Sequence, residues 1–208
     1  QGKLTEEITL ALNKAETLTE VEDIYRPYKP KKRTRAIIAK EKGLEPLANV
    51  IISGLFKGDI NEEASKFIDS EKGVETANDA ISGALDIIAE SISEEAKFRK
   101  HIREMVMREG TIESKGESEE TTPYEMYYEY SEEVKKIPPH RILAINRGEK
   151  EKILSVKIVI SEDKVISYLE KELLKGNLVT DEQIKLAIKD AYKRLIFPSI
   201  EREIRSEL

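Results

Sequence analysis

The sequence predicts a mainly α protein: an irregular helical array with a small β element around residues 111–115 and 153–160. Three observations carry that prediction. The 208 residues are 37% charged and only 6% aromatic, without a single Trp, which suits helices with heavily solvated faces. Apolar residues recur at three- and four-residue spacing along most of the chain. One run, ILSVKIVI at 153–160, is instead β-branched and bounded by charged stretches.

The elements follow in order. Leu4, Ile8, Ala11, Leu12, Ala15 and Leu18 share one helical face. Thr19 and Glu22 have the spacing of a capping box, opening a short helix that must fail at Pro27. Residues 33–42 predict a helix closed by Gly43, and Pro46 suits the first turn of the next. Ala77, Ala80, Ile81, Ala84, Leu85, Ile88 and Ile92 form a long stripe. Its alanines, with Gly83 beside them, let a neighbouring helix approach closely. Phe98, Ile102, Met105 and Val106 continue the pattern to Gly110, so residues 1–110 read as a helical array.

Residues 111–137 read as an acidic, Tyr-rich linker. Between 111 and 133 stand eight acids (113, 117, 119, 120, 125, 129, 132 and 133) against Lys115, a net −7. GESEETTP within it has turn composition. Residues 138–208 read as helices with one strand, packed on the first part. The strand at 153–160 needs a partner for its backbone groups, and 111–115 is the nearest candidate. Val165, Ile166, Leu169 and Leu173 form one later stripe. Ile184, Ile188, Ala191 and Leu195 form another behind a Thr180 cap, and Pro198 starts a last helix carrying Ile200, Ile204 and Leu208. No repeat of fixed period is present.

Catalytic chemistry finds little support. The two histidines, His101 and His140, lie 39 positions apart, without the spacing of a helical ligand pair. There is no Cys, hence no disulfide, thiol nucleophile or zinc-finger ligand set. Gly110 and Gly148 are isolated and look like helix terminators rather than a phosphate loop. We therefore expect no catalytic residue, no metal, no cofactor and no enzyme. No apolar run approaches the ~20 residues of a membrane span, and QGKLTEE lacks the apolar core of a signal peptide. A cytoplasmic protein that does not engage membranes is the expectation.

Two segments qualify as nucleic-acid contacts. YEMYYEY (Tyr124, Tyr127, Tyr128 and Tyr130) has the aromatics of a base-stacking platform, but its glutamates repel phosphates, and packing onto the helical body fits better. YRPYKPKKRTRA, residues 25–36, carries six cations, two tyrosines and two prolines. Residues 26–42 have a net charge of +7 in a chain of net charge −6. Prolines hold such a segment open as an exposed connection. Arg26, Lys29, Lys31, Lys32, Arg33 and Arg35 are the candidate phosphate contacts. Equally, the strip fits a joint docked on acidic protein surface, with Arg26 and Arg35 locking carboxylates.

EDIYRPYKPKKRTRAIIAKEKGLEPLA and EKGVETANDAISGALDIIAESIS closely resemble the bacterial transcription accessory protein family called Tex. YSEEVKKIPPHRILAINRGEKEKIL and AYKRLIFPSIEREIRSEL continue the resemblance in the same order, so it covers essentially the whole chain. Two departures stand out. Pro139 replaces a usual Ser, and GESEETTP replaces a basic, Gly-containing stretch. The resemblance implies that the chain is a fragment of a larger multidomain protein, the later part of an N-terminal helical region. Downstream it implies an RNase H-like (YqgF-type) domain, helix-hairpin-helix modules and an S1 domain. RNA or DNA is then bound mainly through domains absent from this chain. The implied role is a helical scaffold segment with auxiliary contact through the basic loop, docking to other Tex domains and serving the transcription machinery. The alternative is structural support of a nucleolytic enzyme whose active site lies in the RNase H-like domain.

Overall fold

The computed structural model describes residues 4–29, 32–117 and 121–208. Lys31, Glu119, Glu120 and part of the GESEETTP turn lie outside the described residues. Most of the chain is helical, as expected. In chain order the helices are α1 (Glu6–Lys14), α2 (Leu18–Tyr25), α3 (Arg35–Glu41), α4 (Glu45–Ser53), α5 (Ile60–Ser65), α6 (Ala77–Glu94) and α7 (Ala96–Glu109). Then come strands β1 (Thr111–Gly116) and β2 (Glu129–Glu133), helix α8 (Pro139–Lys150) and strand β3 (Leu154–Val159). Helices α9 (Glu162–Leu173), α10 (Leu178–Asp190) and α11 (Phe197–Glu207) complete the chain. Two compact units result. One joins the chain up to Arg99 with Ile166–Ile196, the other joins Lys100–Val165 with Phe197–Leu208.

The first unit is built on α6, which packs against α3, α4, α5 and α10. Ala80, Ala84 and Ala89 are buried on it, and Gly83 explains the closeness of α3. A Cβ on Gly83 would fall 2.3 Å from Leu44 Cδ1 and 3.4 Å from the Ala39 Cβ. The small-residue stripe therefore does what its composition predicts.

Local capping overrides three sequence expectations in this unit. The stripe from Leu4 to Leu18 is not one helix, because the backbone turns extended at Ala15. Nor do Thr19 and Glu22 cap α2. The cap sits two residues earlier, where Thr17 Oγ1 accepts from the Glu20 N–H at 3.2 Å. The Glu20 carboxylate accepts from the Glu16 N–H at 2.7 Å. These bonds satisfy N–H groups that the break at Ala15 leaves without a helical partner at the start of α2. Likewise α10 is capped by Asn177, not by Thr180, which is buried inside the helix. Asn177 Oδ1 accepts from the Val179 N–H, and its Nδ2 donates to the carbonyls of Gly54 and Phe56 at 2.8 and 2.7 Å. A side chain that caps one helix and anchors the exit of α4 outcompetes one that only caps.

The second unit holds a three-stranded antiparallel sheet in the order β2-β1-β3. The expected pairing is present, with Ile112 opposite Ile158 and Ser114 opposite Val156. Strand β2, drawn from the Tyr-rich segment, was not anticipated, and places Tyr130 opposite Ser114. The outer edge of β3 is sealed by α11. The Ile158 N–H donates to Glu201 Oε1 at 2.8 Å, and Arg205 Nη1 donates to the Val156 carbonyl at 3.2 Å. Two side chains one helical turn apart thus replace a fourth strand. Gly148 is inside α8 rather than at its end. A Cβ there would fall 2.7 Å from Leu154 Cδ1 and 3.1 Å from the Tyr124 ring, so it is kept small by packing.

Among the described residues no helix is long and apolar enough to cross a membrane.

Candidate nucleic-acid interface

The basic strip starts where α2 ends. Pro27 cannot donate to the helical ladder, and the chain tightens into a 3₁₀ turn over Arg26–Tyr28. It re-enters helix at α3, where Thr34 Oγ1 accepts from the Ile37 N–H at 3.2 Å. The strip is therefore a connection held at both ends by capped helices.

Its cations differ in their surroundings. Arg26 lies at the base, its Nε 3.7 Å from Asp23 Oδ1. Lys29 and Lys32 are exposed. Arg33 is also exposed and pairs with Glu41 at 2.8 Å, a contact open to solvent on both sides. Such a pair is worth about 0–1 kcal/mol, which a phosphate can displace. Arg35 opens α3 beside a cleft of about 240 Å³ that it shares with Lys42, Asp79 and Asp86. Burial lifts the Asp86 carboxyl above its ordinary range, against the pull of Arg194 and Arg35. Of the six predicted contacts, Lys29, Lys32, Arg33 and Arg35 are exposed. Arg26 is engaged with a buried acid, Arg35 shares its cleft with Lys42 and two aspartates, and Lys31 lies outside the described residues.

A second cleft, of about 310 Å³, is lined by Pro27, Lys40, Glu45, Asn49, Glu90 and Glu94. Its three glutamates against one lysine disfavour phosphate.

The tyrosine cluster takes the packing role. Tyr124 and Tyr127 are 5% and 6% exposed, in a core with Ile112, Ile137, Ile142, Ile145 and Leu154. Tyr127 and Tyr130 meet edge to face at 5.2 Å between centroids. Arg141 donates to Glu132 Oε2 at 2.8 Å and to the Tyr130 hydroxyl at 3.2 Å. The Tyr130 hydroxyl donates to the same carboxylate. These bonds hold the Glu132 carboxyl below its ordinary range. No ring of Tyr124 or Tyr127 is free to stack on a base. His140 is exposed near the start of α8, and among the described residues no three His, Asp or Glu side chains converge as a metal-ligand set.

Residues 57–208 match the family model described as Tex central region-like. This chain belongs to the Tex family. It is 47% identical over 213 residues to protein YdcI of Bacillus subtilis, covering 100% of this chain and 30% of that protein. It is 37% identical over 166 residues to protein tex of Bordetella pertussis, covering 78% of this chain and 21% of that one. S1 RNA-binding domain-containing protein 1 of Homo sapiens is 28% identical over 225 residues, covering 100% of this chain and 22% of its own length. The chain spans between about a fifth and a third of the length of these relatives. The strip precedes the matched Tex central region, but lies within the stretch shared with the two relatives that span the whole chain.

Sequence reasoning missed the pair that fixes the strip of this Tex-family chain. Arg99 Nε donates to Asp23 Oδ1 at 2.6 Å, and the two side chains are 1% and 2% exposed. Asp23 sits among two other acids of α2, Glu20 and Glu22, and Arg99 among the charges of α7. With 76 residues between them, no spacing rule could have joined them.

Proposed function

We propose that this chain is a helical scaffold segment of a nucleic-acid-binding transcription accessory protein, and that its basic loop makes an auxiliary contact with RNA or DNA. The observation that carries the proposal is the exposure of Lys29, Lys32 and Arg33 between the 3₁₀ turn that ends α2 and the capped start of α3. Membership of the Tex family supports it, as do its relatives, among them a transcriptional accessory protein of Neisseria gonorrhoeae and an S1 RNA-binding domain-containing protein of Homo sapiens. The principal nucleic-acid contacts, and docking against other Tex segments, then belong to the parts of those relatives that this chain does not span. Catalysis is not assigned to it.

The test is charge reversal at Lys29, Lys32 and Arg33 in the 208-residue chain, read by fluorescence anisotropy with labelled RNA and DNA. Wild type should bind weakly, in the micromolar range or above at physiological salt, with affinity falling as salt rises by about 0.7 to 0.9 log units per phosphate contact. The triple Glu variant should show no binding and an unchanged melting temperature. Undiminished binding by that variant overturns the proposal.

A further inference from the structure

We propose that Tyr25 and Tyr28 form a stacking platform for single-stranded nucleic acid at the head of the basic loop. The proposal rests on the loop contact above and narrows it to a class of ligand. Tyr25 is 52% exposed and Tyr28 38% exposed, unlike the buried Tyr124 and Tyr127. The two stand three residues apart across the junction of α2 with the 3₁₀ turn, a spacing that puts side chains on one face of the backbone.

The platform is rigid from below. Pro27, between the two tyrosines, fixes its own φ and narrows the conformations of the turn. Asp23, two residues before Tyr25, is held by Arg99 inside the unit. A pre-ordered aromatic surface loses little conformational freedom on binding. Charge sets the path of the strand. Lys29, Lys32 and Arg33 follow the platform immediately, where a phosphodiester backbone would run. In the other direction the apolar line continues as Val21 and Leu18, but among Glu16, Glu20 and Glu22, which repel phosphates. The footprint is therefore a few nucleotides, starting at the tyrosines and running toward α3. Duplex nucleic acid keeps its bases stacked inside and offers nothing to the rings.

The experiment uses the 208-residue chain and four labelled probes of equal length: oligo(U), oligo(dT), an abasic oligodeoxyribonucleotide and a DNA duplex. Variants are Tyr25→Ala with Tyr28→Ala, and Tyr25→Phe with Tyr28→Phe. The double Ala variant should bind oligo(U) and oligo(dT) roughly tenfold or more weakly than wild type, since each stacked base contributes substantially. Its binding to the abasic probe should be unchanged, and the double Phe variant should retain wild-type affinity because it keeps both rings. Equal binding of the abasic and oligo(dT) probes by wild type, or an unaffected double Ala variant, overturns the platform and leaves the loop contact standing. Absence of binding to every probe by wild type overturns both.

Discussion

Tyr25 and Tyr28 belong to a basic segment and face solvent, whereas Tyr124 and Tyr127 belong to an acidic segment and are buried. Each pair stands three residues apart beside a 3₁₀ turn, so local backbone geometry is shared. What differs is the company available. Around Tyr124 and Tyr127 converge Ile112 from β1, Ile142 and Ile145 from α8, and Leu154 from β3. Covering a ring with such neighbours stabilises the fold by roughly 25 cal/mol per Å² removed from water. At the head of the strip the inward position of α2 is taken by Asp23, which recruits Arg99 rather than an apolar partner. The acidic segment's charge did not keep its tyrosines out of the core, because its glutamates point elsewhere. Arg141 takes Glu132, and Lys135 and Lys136 take Glu133. Segment charge is thus a poor guide to the fate of an aromatic residue, and the number of converging apolar side chains is a good one.

Removing the anchor should break the exposed half of this comparison most forcefully. In Asp23→Ala the Arg99 guanidinium stays buried without the Asp23 carboxylate. Breaking a buried ion pair from one side costs about 3–5 kcal/mol. Urea denaturation of the 208-residue chain should report a loss of that order, and proteolysis should open the strip first. A loss below about 1 kcal/mol would mean that the strip is not held from beneath.

The buried half is tested by Tyr127→Ala. The ring is 6% exposed and packs edge-on against Tyr130. The Tyr127 carbonyl accepts from the buried Ser114 hydroxyl at 2.6 Å, so its backbone position also matters. Truncating a core aromatic residue costs about 3 kcal/mol or somewhat more. Thermal melting should fall accordingly, and the near-ultraviolet dichroism of the tyrosines should weaken. Unchanged stability would return the segment to the role of a loose linker.

Much of the architecture was legible in the sequence, and the misses share one cause. The stripes on α6 and α7 are long enough for periodicity to dominate, and Gly83 beside the alanines of α6 announced a close helix. The β1–β3 pair was legible because ILSVKIVI has no other use. Missed were the caps at Thr17 and Asn177, strand β2 and the packing role of Gly148. Each is decided by a partner chosen in space: Asn177 by the carbonyls of Gly54 and Phe56, β2 by the free edge of β1, Gly148 by Tyr124 and Leu154. EYSEE has no strand signature of its own, since three of its five residues are glutamates. At the candidate site, composition pointed to the cations. It could not show that Arg26 is engaged with Asp23, nor that the strip's own tyrosines, rather than the more conspicuous cluster, remain exposed.

The smallest expected effect is the most discriminating. Tyr25→Ala and Tyr28→Ala each remove a ring outside the buried core, 52% and 38% exposed. Substitutions at such surface positions change stability by about 0.5 kcal/mol or less. The turn should survive them, because Pro27 and the Asp23–Arg99 pair are untouched. Denaturation curves of the double variant should therefore overlay those of wild type, against the marked shift expected for Tyr127→Ala. A loss above about 1 kcal/mol would show that these rings support the fold after all, and the contrast between the two tyrosine pairs would vanish. An overlay leaves two rings, a proline and three neighbouring cations exposed at no benefit to stability, which is what a surface kept for a ligand should look like.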